Sequence, residues 1–314
     1  MQVLTPEQYA HKMLEHGTFD NQNVTQFWED VIAGEKWNDP NVHVWMDDIT
    51  QPAQKYETNL NMQGGTGGTT YMASVGYVNN EGLIRRQCFD RFTSRLNLTQ
   101  NLSTRANMGL NLSFSSSRDK NPISDWSQSG IVLNALQRSP FLLYPGFSTL
   151  MNYSNINVMS PLVAVEQIDI TNIYDELNGN FWFSYNILPG LDFNAGGSYR
   201  RYVIDATREW GSDTWFGQSE QGRIEAYRHT ENSWVMESRL QYAKTIDKHS
   251  FTVMGAFEGS KWWMDHLYTM GTNFEDMSHG PYGIGNALVT YAPTLTYDHN
   301  NIAAPPIAMT TAMW

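Results

Sequence analysis

From residue 54 onward, apolar and polar side chains change places at every step, in runs joined alternately by short and long connections. A period of two puts successive side chains on opposite faces of a strand, so the pattern demands β-sheet and excludes a helical bundle. Tyr56, Thr58, Leu60 and Met62 alternate with Lys55, Glu57, Asn59 and Asn61. After Gly64-Gly65-Thr66-Gly67-Gly68 the alternation resumes with Tyr71, Ala73, Val75 and Tyr77, which makes the pair a hairpin. A third run sets Phe92, Leu96 and Leu98 against Arg91, Thr93, Arg95, Asn97 and Thr99. A fourth sets Met108, Leu110, Leu112 and Phe114 against Asn107, Asn111 and Ser113. Further strands are predicted over about 172–185, 191–203, 221–243 and 249–261, with a weaker ninth at 286–297.

Tight links at 64–68, 101–105, 186–190 and 245–248 alternate with longer ones at 79–88, 118–171, 203–220 and 262–285. In an up-and-down barrel every second connection lies on the same side, and transmembrane barrels pair short turns on one side with long loops on the other. The expected fold class is therefore all-β: an antiparallel up-and-down transmembrane β-barrel segment, about eight or nine strands of a larger barrel over 51–300. Residues 1–50 read as a loop region with short helices, the first opened by Thr5, Pro6 and Gln8 as N-cap, first helical residue and capping box. The same parity puts this region on the long-loop side. It calls for an earlier strand and points to a truncated N-terminus. The alternative is a soluble β-sandwich with a carbohydrate-binding or adhesive role. Against it, runs of roughly 10 to 13 residues exceed the usual strand and fit a tilted bilayer crossing.

Composition narrows the partners. Charged residues make up 17% of the chain and aromatics 13%, which suits a surface only partly in water. A net charge of −12, with 20 scattered cations, argues against nucleic acid. The single Cys88 excludes an intrachain disulfide and a cysteine-built zinc site. No run of 18 apolar residues is present to form a spanning helix, a test that barrel strands escape.

Leu60-Asn61-Met62-Gln63-Gly64-Gly65-Thr66 leads into Thr70-Tyr71-Met72-Ala73-Ser74-Val75-Gly76-Tyr77, followed by Glu81-Gly82-Leu83-Ile84 and by Phe89-Asp90-Arg91-Phe92-Thr93-Ser94-Arg95-Leu96-Asn97-Leu98. This text resembles the SusC/RagA-like TonB-linked outer-membrane transporters of Gram-negative bacteria. Weaker echoes run from Pro40 to Ile49 and from Tyr242 to Phe251. The resemblance implies a barrel of about 22 strands with a plugged lumen, a preceding plug and TonB-contacting segment, and a SusD-like surface lipoprotein as partner. It also implies contact with outer-membrane lipid and import of oligosaccharides or peptides. On that reading the chain supplies about the first third of the barrel wall, with the TonB complex engaged through segments outside it. The tail at 301–314 departs from the pattern: Pro293 interrupts the last strand, and Ala303-Ala304-Pro305-Pro306 does not resemble the next hairpin. A truncated or frame-disrupted reading is expected there.

Catalytic chemistry finds little support. Gly64-Gly65-Thr66-Gly67-Gly68 lacks the Gly-Lys-Ser/Thr of a phosphate loop and lies between strands. Glu29 with Asp30 and Asp47 with Asp48 are adjacent loop charges without a partner across a sugar-sized gap. The eight histidines are dispersed, without metal-binding spacing, so no metal, cofactor or enzymatic activity is expected. The positive lead is aromatic. Trp126, Trp210, Trp215, Phe216, Trp262 and Trp263 fall in the long connections, where a ring can stack on a sugar or peptide, pack against other loops or anchor at the bilayer interface. Of the adjacent Trp262 and Trp263, only one can face the lumen.

Overall fold

The computed structural model describes residues 3–16, 22–121, 130–141, 160–304 and 307–308. Eight strands follow one another as antiparallel neighbours: β1 (Lys55–Thr66), β2 (Thr69–Glu81), β3 (Cys88–Asn101), β4 (Ala106–Lys120), β5 (Ile168–Leu188), β6 (Leu191–Trp210), β7 (Arg223–Ile246) and β8 (His249–Thr272). The ninth place is shared by β9 (Val289–Ala304) and β10 (Ile307–Ala308), which both pair with β8. Ala304 lies opposite Glu258 and Ile307 opposite Gly255, so the two keep one register. All these strands form a single sheet. Among the described residues there is no second sheet, which a sandwich would need to cover its apolar face.

The predicted parity of connections holds. Short turns occupy 67–68, 102–105, 189–190 and 247–248, and long connections 82–87, 121–167, 211–222 and 273–288. Gly190 shows why a short turn needs its residue. Its φ is 88°, and a Cβ there would lie 2.2 Å from the Ala243 carbonyl oxygen.

Register converts the alternation along each strand into two faces. Ala73 lies opposite Leu96, Leu96 opposite Leu112, Leu110 opposite Phe181, Phe183 opposite Ala195, Phe193 opposite Leu240, and Tyr242 opposite Val253. Among the described residues nothing covers this apolar face: Leu60 is 70% exposed, Met236 60% and Phe257 56%. On β3 the apolar side chains of this face run from Leu98 to Phe92 and give way to Asp90. On β5 they run from Tyr185 to Leu177 and give way to Asp175, and on β6 from Leu191 to Tyr199 before Arg201. About nine residues of tilted strand cross the hydrocarbon core of a bilayer, so the band has the height of a membrane. Rings edge it on both sides, with Tyr71, Tyr185, Phe193 and Phe251 toward the short turns and Tyr77, Phe92, Tyr199 and Trp234 toward the long loops. The upper tyrosines turn their hydroxyls away from the band. Tyr77 donates to Asp90 Oδ1 at 3.0 Å, and Tyr199 to Asn232 Oδ1 at 3.0 Å, the arrangement expected of an interfacial ring.

Residues before β1 sit on the long-loop side. The helix Pro6–His16 opens with the expected capping box: Thr5 N–H donates to Gln8 Oε1 at 3.0 Å, and Gln8 N–H to Thr5 Oγ1 at 3.2 Å. Ala10 from this helix and Val24, Trp28 and Val31 from the next (Gln22–Ala33) bury against Phe141. A second buried cluster joins Trp45 and Ile49 to Ile84, Ile131, Val165, Ile168 and Trp210, so residues distant in sequence form one cap over the rim. Polar links tie it down. The Trp45 indole donates to the Ser139 carbonyl at 2.9 Å, and Arg86 donates to the Val165 carbonyl and pairs with Asp169.

Pro293 does not end the last strand. Tyr268 lies opposite Thr294 and Met270 opposite Tyr291, leaving one extra residue on β9. A bulge is where a residue without a backbone N–H fits in a sheet. Pairing with β8 is described for Val289–Ala304 and for Ile307–Ala308.

Candidate functional site

The second face of the sheet, opposite the apolar one, is polar and changes character along the strands. Toward the short turns it carries amides and hydroxyls. Arg95, Asn97, Asn111, Asn178, Asn180 and Arg200 line a concavity of about 580 Å³ there. Trp182 shares this face and lies across from Gly109, where a Cβ would come within 2.3 Å of its indole nitrogen. The glycine makes room for the ring.

A chain of polar contacts then crosses four strands. Arg200 on β6 donates through Nε to Glu176 on β5 at 2.8 Å, and through Nη1 to Glu231 on β7 at 3.2 Å. Trp262 on β8 donates its indole N–H to the same Glu231 oxygen at 2.9 Å. Each pair is partly exposed and worth no more than about 1 kcal/mol, but together they fix the heights of four neighbouring side chains.

Beyond this chain, toward the long loops, the face becomes aromatic. Tyr174 and Tyr202 are nearly parallel at 6.5 Å between ring centres. Tyr227 and His266 meet edge to face at 4.6 Å, with His229 6.3 Å from His266. Tyr227 pairs with Tyr268 across β7 and β8. Asn172, Tyr174, Arg208, Tyr227, His266 and Tyr268 border a concavity of about 420 Å³. Charged side chains pair at its margin. Arg223 Nε donates to Glu225 Oε1 at 2.8 Å, and Arg208 Nη1 lies 3.6 Å from Glu225 Oε2. In the rim loop that follows β8, the backbone N–H and the hydroxyl of Ser278 donate to Asp276 and hold its carboxyl below the usual carboxylate range.

The aromatic residues singled out in the sequence scatter. Trp126 lies outside the described residues. Trp210 is not in a loop: it ends β6, is 7% exposed, and packs in the rim cluster with the Arg223 guanidinium 5.5 Å above its ring. Trp215 and Phe216 open the short helix Trp215–Gln218, capped by Thr214, and their side chains lie outside the described part of the structure. Trp262 and Trp263 are also strand residues, because β8 continues to Thr272. Their faces differ as expected. Trp262 lies on the polar face, while Trp263 lies on the apolar one, above the band, with Lys261 Nζ 5.4 Å from its ring centre. Among the described side chains, Trp210, Trp262 and Trp263 occupy three separate places. The clustered rings are the tyrosines and histidines, whose period-two spacing at Tyr227 and His229, and at His266 and Tyr268, was the available signal.

A single antiparallel meander with a membrane-high apolar band, ring girdles and a polar opposite face defines a segment of transmembrane barrel wall. No family model matches the chain. Two curated relatives from Formosa agariphila do: TonB-dependent receptor P3 is 25% identical over 236 residues, and TonB-dependent receptor P39 is 23% identical over 225. The alignments cover 69% and 70% of this chain but 22% and 21% of the receptors, so the chain spans about a fifth of their length. Among solved structures, the RagAB peptide transporter superposes with a TM-score of 0.70 at 15% identity, covering 95% of this chain and 36% of that one. The RagAB peptide importer in its open-open state gives 0.69. The chain thus has the barrel-wall fold seen in the RagAB transporter and is similar in sequence to TonB-dependent receptors.

Proposed function

We propose that this chain forms part of the wall of a TonB-dependent transporter in the outer membrane of a Gram-negative bacterium, importing oligosaccharides or peptides without chemistry of its own. The observation that carries the reading is the sheet's division into one lipid-height apolar face and one polar, concave-pocketed face, on a chain whose relatives are TonB-dependent receptors. The polar face then borders the lumen, and the rim cap built by the two buried clusters lies outside the cell. The rim is the surface offered to a SusD-like lipoprotein. Energy arrives through the TonB complex, engaged by parts of the receptor beyond this wall.

Uptake by cells tests this directly. Cells carrying the receptor should accumulate labelled oligosaccharide or peptide, lose that uptake on deletion of the gene, and lose it again when a protonophore discharges the inner membrane. A protein found in the soluble fraction, or uptake indifferent to the protonophore, would overturn the reading.

A further inference from the structure

Resting on the reading that the apolar face meets the outer membrane, we propose that Arg201 and Lys261, at the upper edge of the apolar band, bind the phosphate of an outer-leaflet lipid. Register sets the place. Tyr199, Trp234 and Lys261 lie abreast on β6, β7 and β8, and Arg201, Asn232 and Trp263 lie abreast one rung higher on the same face. Lys261 Nζ stands 5.4 Å from the Trp263 ring centre. Arg201 and the tryptophan that Lys261 covers are two strand spacings apart, about 10 Å at the backbone, with Asn232 between them.

These two cations differ from the others on this face. Above the band Arg118 pairs with Asp90 at 3.0 Å, Arg228 grips Asp205 through two bonds of 2.6 and 2.7 Å, and Lys120 pairs with Asp169. Among the described residues no carboxylate forms an ion pair with Arg201 or Lys261, although the chain carries a net charge of −12. Asp175 lies opposite Val203, one rung above Arg201, and Asp265 lies opposite Thr230, two rungs above Lys261. Asn232 is only 7% exposed. Its Oδ1 takes the Tyr199 hydroxyl at 3.0 Å, and no described residue accepts from its amide N–H groups. A guanidinium, an ammonium and a buried amide thus offer donors with no acceptor in the chain.

Height and flanking rings select a lipid. From Tyr199 down to Leu191 the face is apolar, so a lipid at this rung gains the band for its acyl chains as well as the donors for its headgroup, whereas a soluble anion gains the donors alone. Trp234 and Trp263 are rings of the kind that settle at headgroup level, and long basic side chains carry their charge from an apolar edge into that layer. The arginine fork matches two phosphate oxygens, and the ammonium adds a point charge. The register brings no carboxylate to these two rungs on β5 to β8. Nothing there receives the ammonium of a zwitterionic headgroup, so the ligand is a lipid whose phosphate carries no attached amine.

The test is native mass spectrometry of the assembled receptor in a non-ionic detergent, with diphosphoryl lipid A, the same lipid A stripped of its phosphates, and phosphatidylethanolamine as probes. Diphosphoryl lipid A should be retained about tenfold better than either of the others. Arg201→Gln and Lys261→Gln should each weaken its retention about fivefold, and together about tenfold or more. Lys244→Gln, which removes an exposed cation from the short-turn end of the same face, should change it less than about twofold. Heat-dependent gel migration reports assembly, and if the double variant does not assemble the single Lys261→Gln carries the test. Equal retention of the dephosphorylated lipid, unchanged retention in the variants, or the same loss in Lys244→Gln would overturn the proposal. The transporter reading fails separately. Protonophore-sensitive uptake with lipid A retention indifferent to Arg201 and Lys261 removes the lipid site and leaves transport standing. Retention that depends on both cations, without such uptake, removes transport and leaves the site.

Discussion

Leu96→Arg is expected to destabilise the membrane-embedded barrel by about 2 to 4 kcal/mol, while Asn97→Arg, one residue along the same strand, costs less than about 1 kcal/mol. Leu96 lies midway up the apolar band, opposite Ala73 on one side and Leu112 on the other. A guanidinium there has only lipid to meet. Asn97 lies opposite Met72 and Asn111 on the polar face and borders the amide-lined concavity, where a cation keeps water and hydrogen-bond acceptors within reach. Reversible urea unfolding in lipid vesicles measures both costs. Similar values at the two positions would mean that the two faces meet the same solvent.

Trp210→Ala is expected to loosen the rim by about 3 to 5 kcal/mol, the cost of emptying a large buried aromatic site, while leaving the strands within the bilayer paired. The indole lies among Trp45, Ile49, Ile84, Val165 and Ile168, so its loss removes a common wall from three stretches of chain. Hydrogen exchange should quicken at the amides of the helices Trp45–Ile49 and Pro161–Gln167 and stay slow between Leu98 and Phe92. Trp210→Phe should recover much of the protection. Unchanged exchange in Trp210→Ala together with impaired ligand binding would instead return this residue to the ligand-contacting role considered for it from sequence.

The parts of the fold legible in the sequence are those where lipid imposes a rule. Between Leu98 and Phe92, or Phe251 and Phe257, one face must be apolar, and the alternation that results places the strands, the hairpin at 67–68 and the order of short and long connections. Past Asp90, Asp175 and Arg201 water bathes both faces and the rule lapses. The strands nonetheless continue, β6 to Trp210 and β8 to Thr272, because backbone pairing does not depend on lipid. Residues expected in loops, such as Trp210, Trp262 and Trp263, turn out to be strand residues for this reason. Pro293 misled in another way, since a single bulge absorbs its missing donor. The ring-lined concavity was hidden because its members come from β5, β6, β7 and β8, and only register brings Tyr227 against Tyr268 and His229 against His266. Trp126 falls outside the described residues.

The assignment of one face to lipid and the other to the lumen is tested most directly by spin labels placed singly at positions 91 through 98 of β3, in a receptor whose Cys88 is replaced by serine. Collision with oxygen, which concentrates in lipid, and with a water-soluble nickel chelate is measured at each position in reconstituted membranes. The expected result is a period of two. Labels at 92, 94, 96 and 98 should collide with oxygen and be shielded from nickel, and labels at 91, 93, 95 and 97 should show the reverse. A profile without alternation, or nickel reaching position 96 as freely as position 97, would contradict a barrel wall.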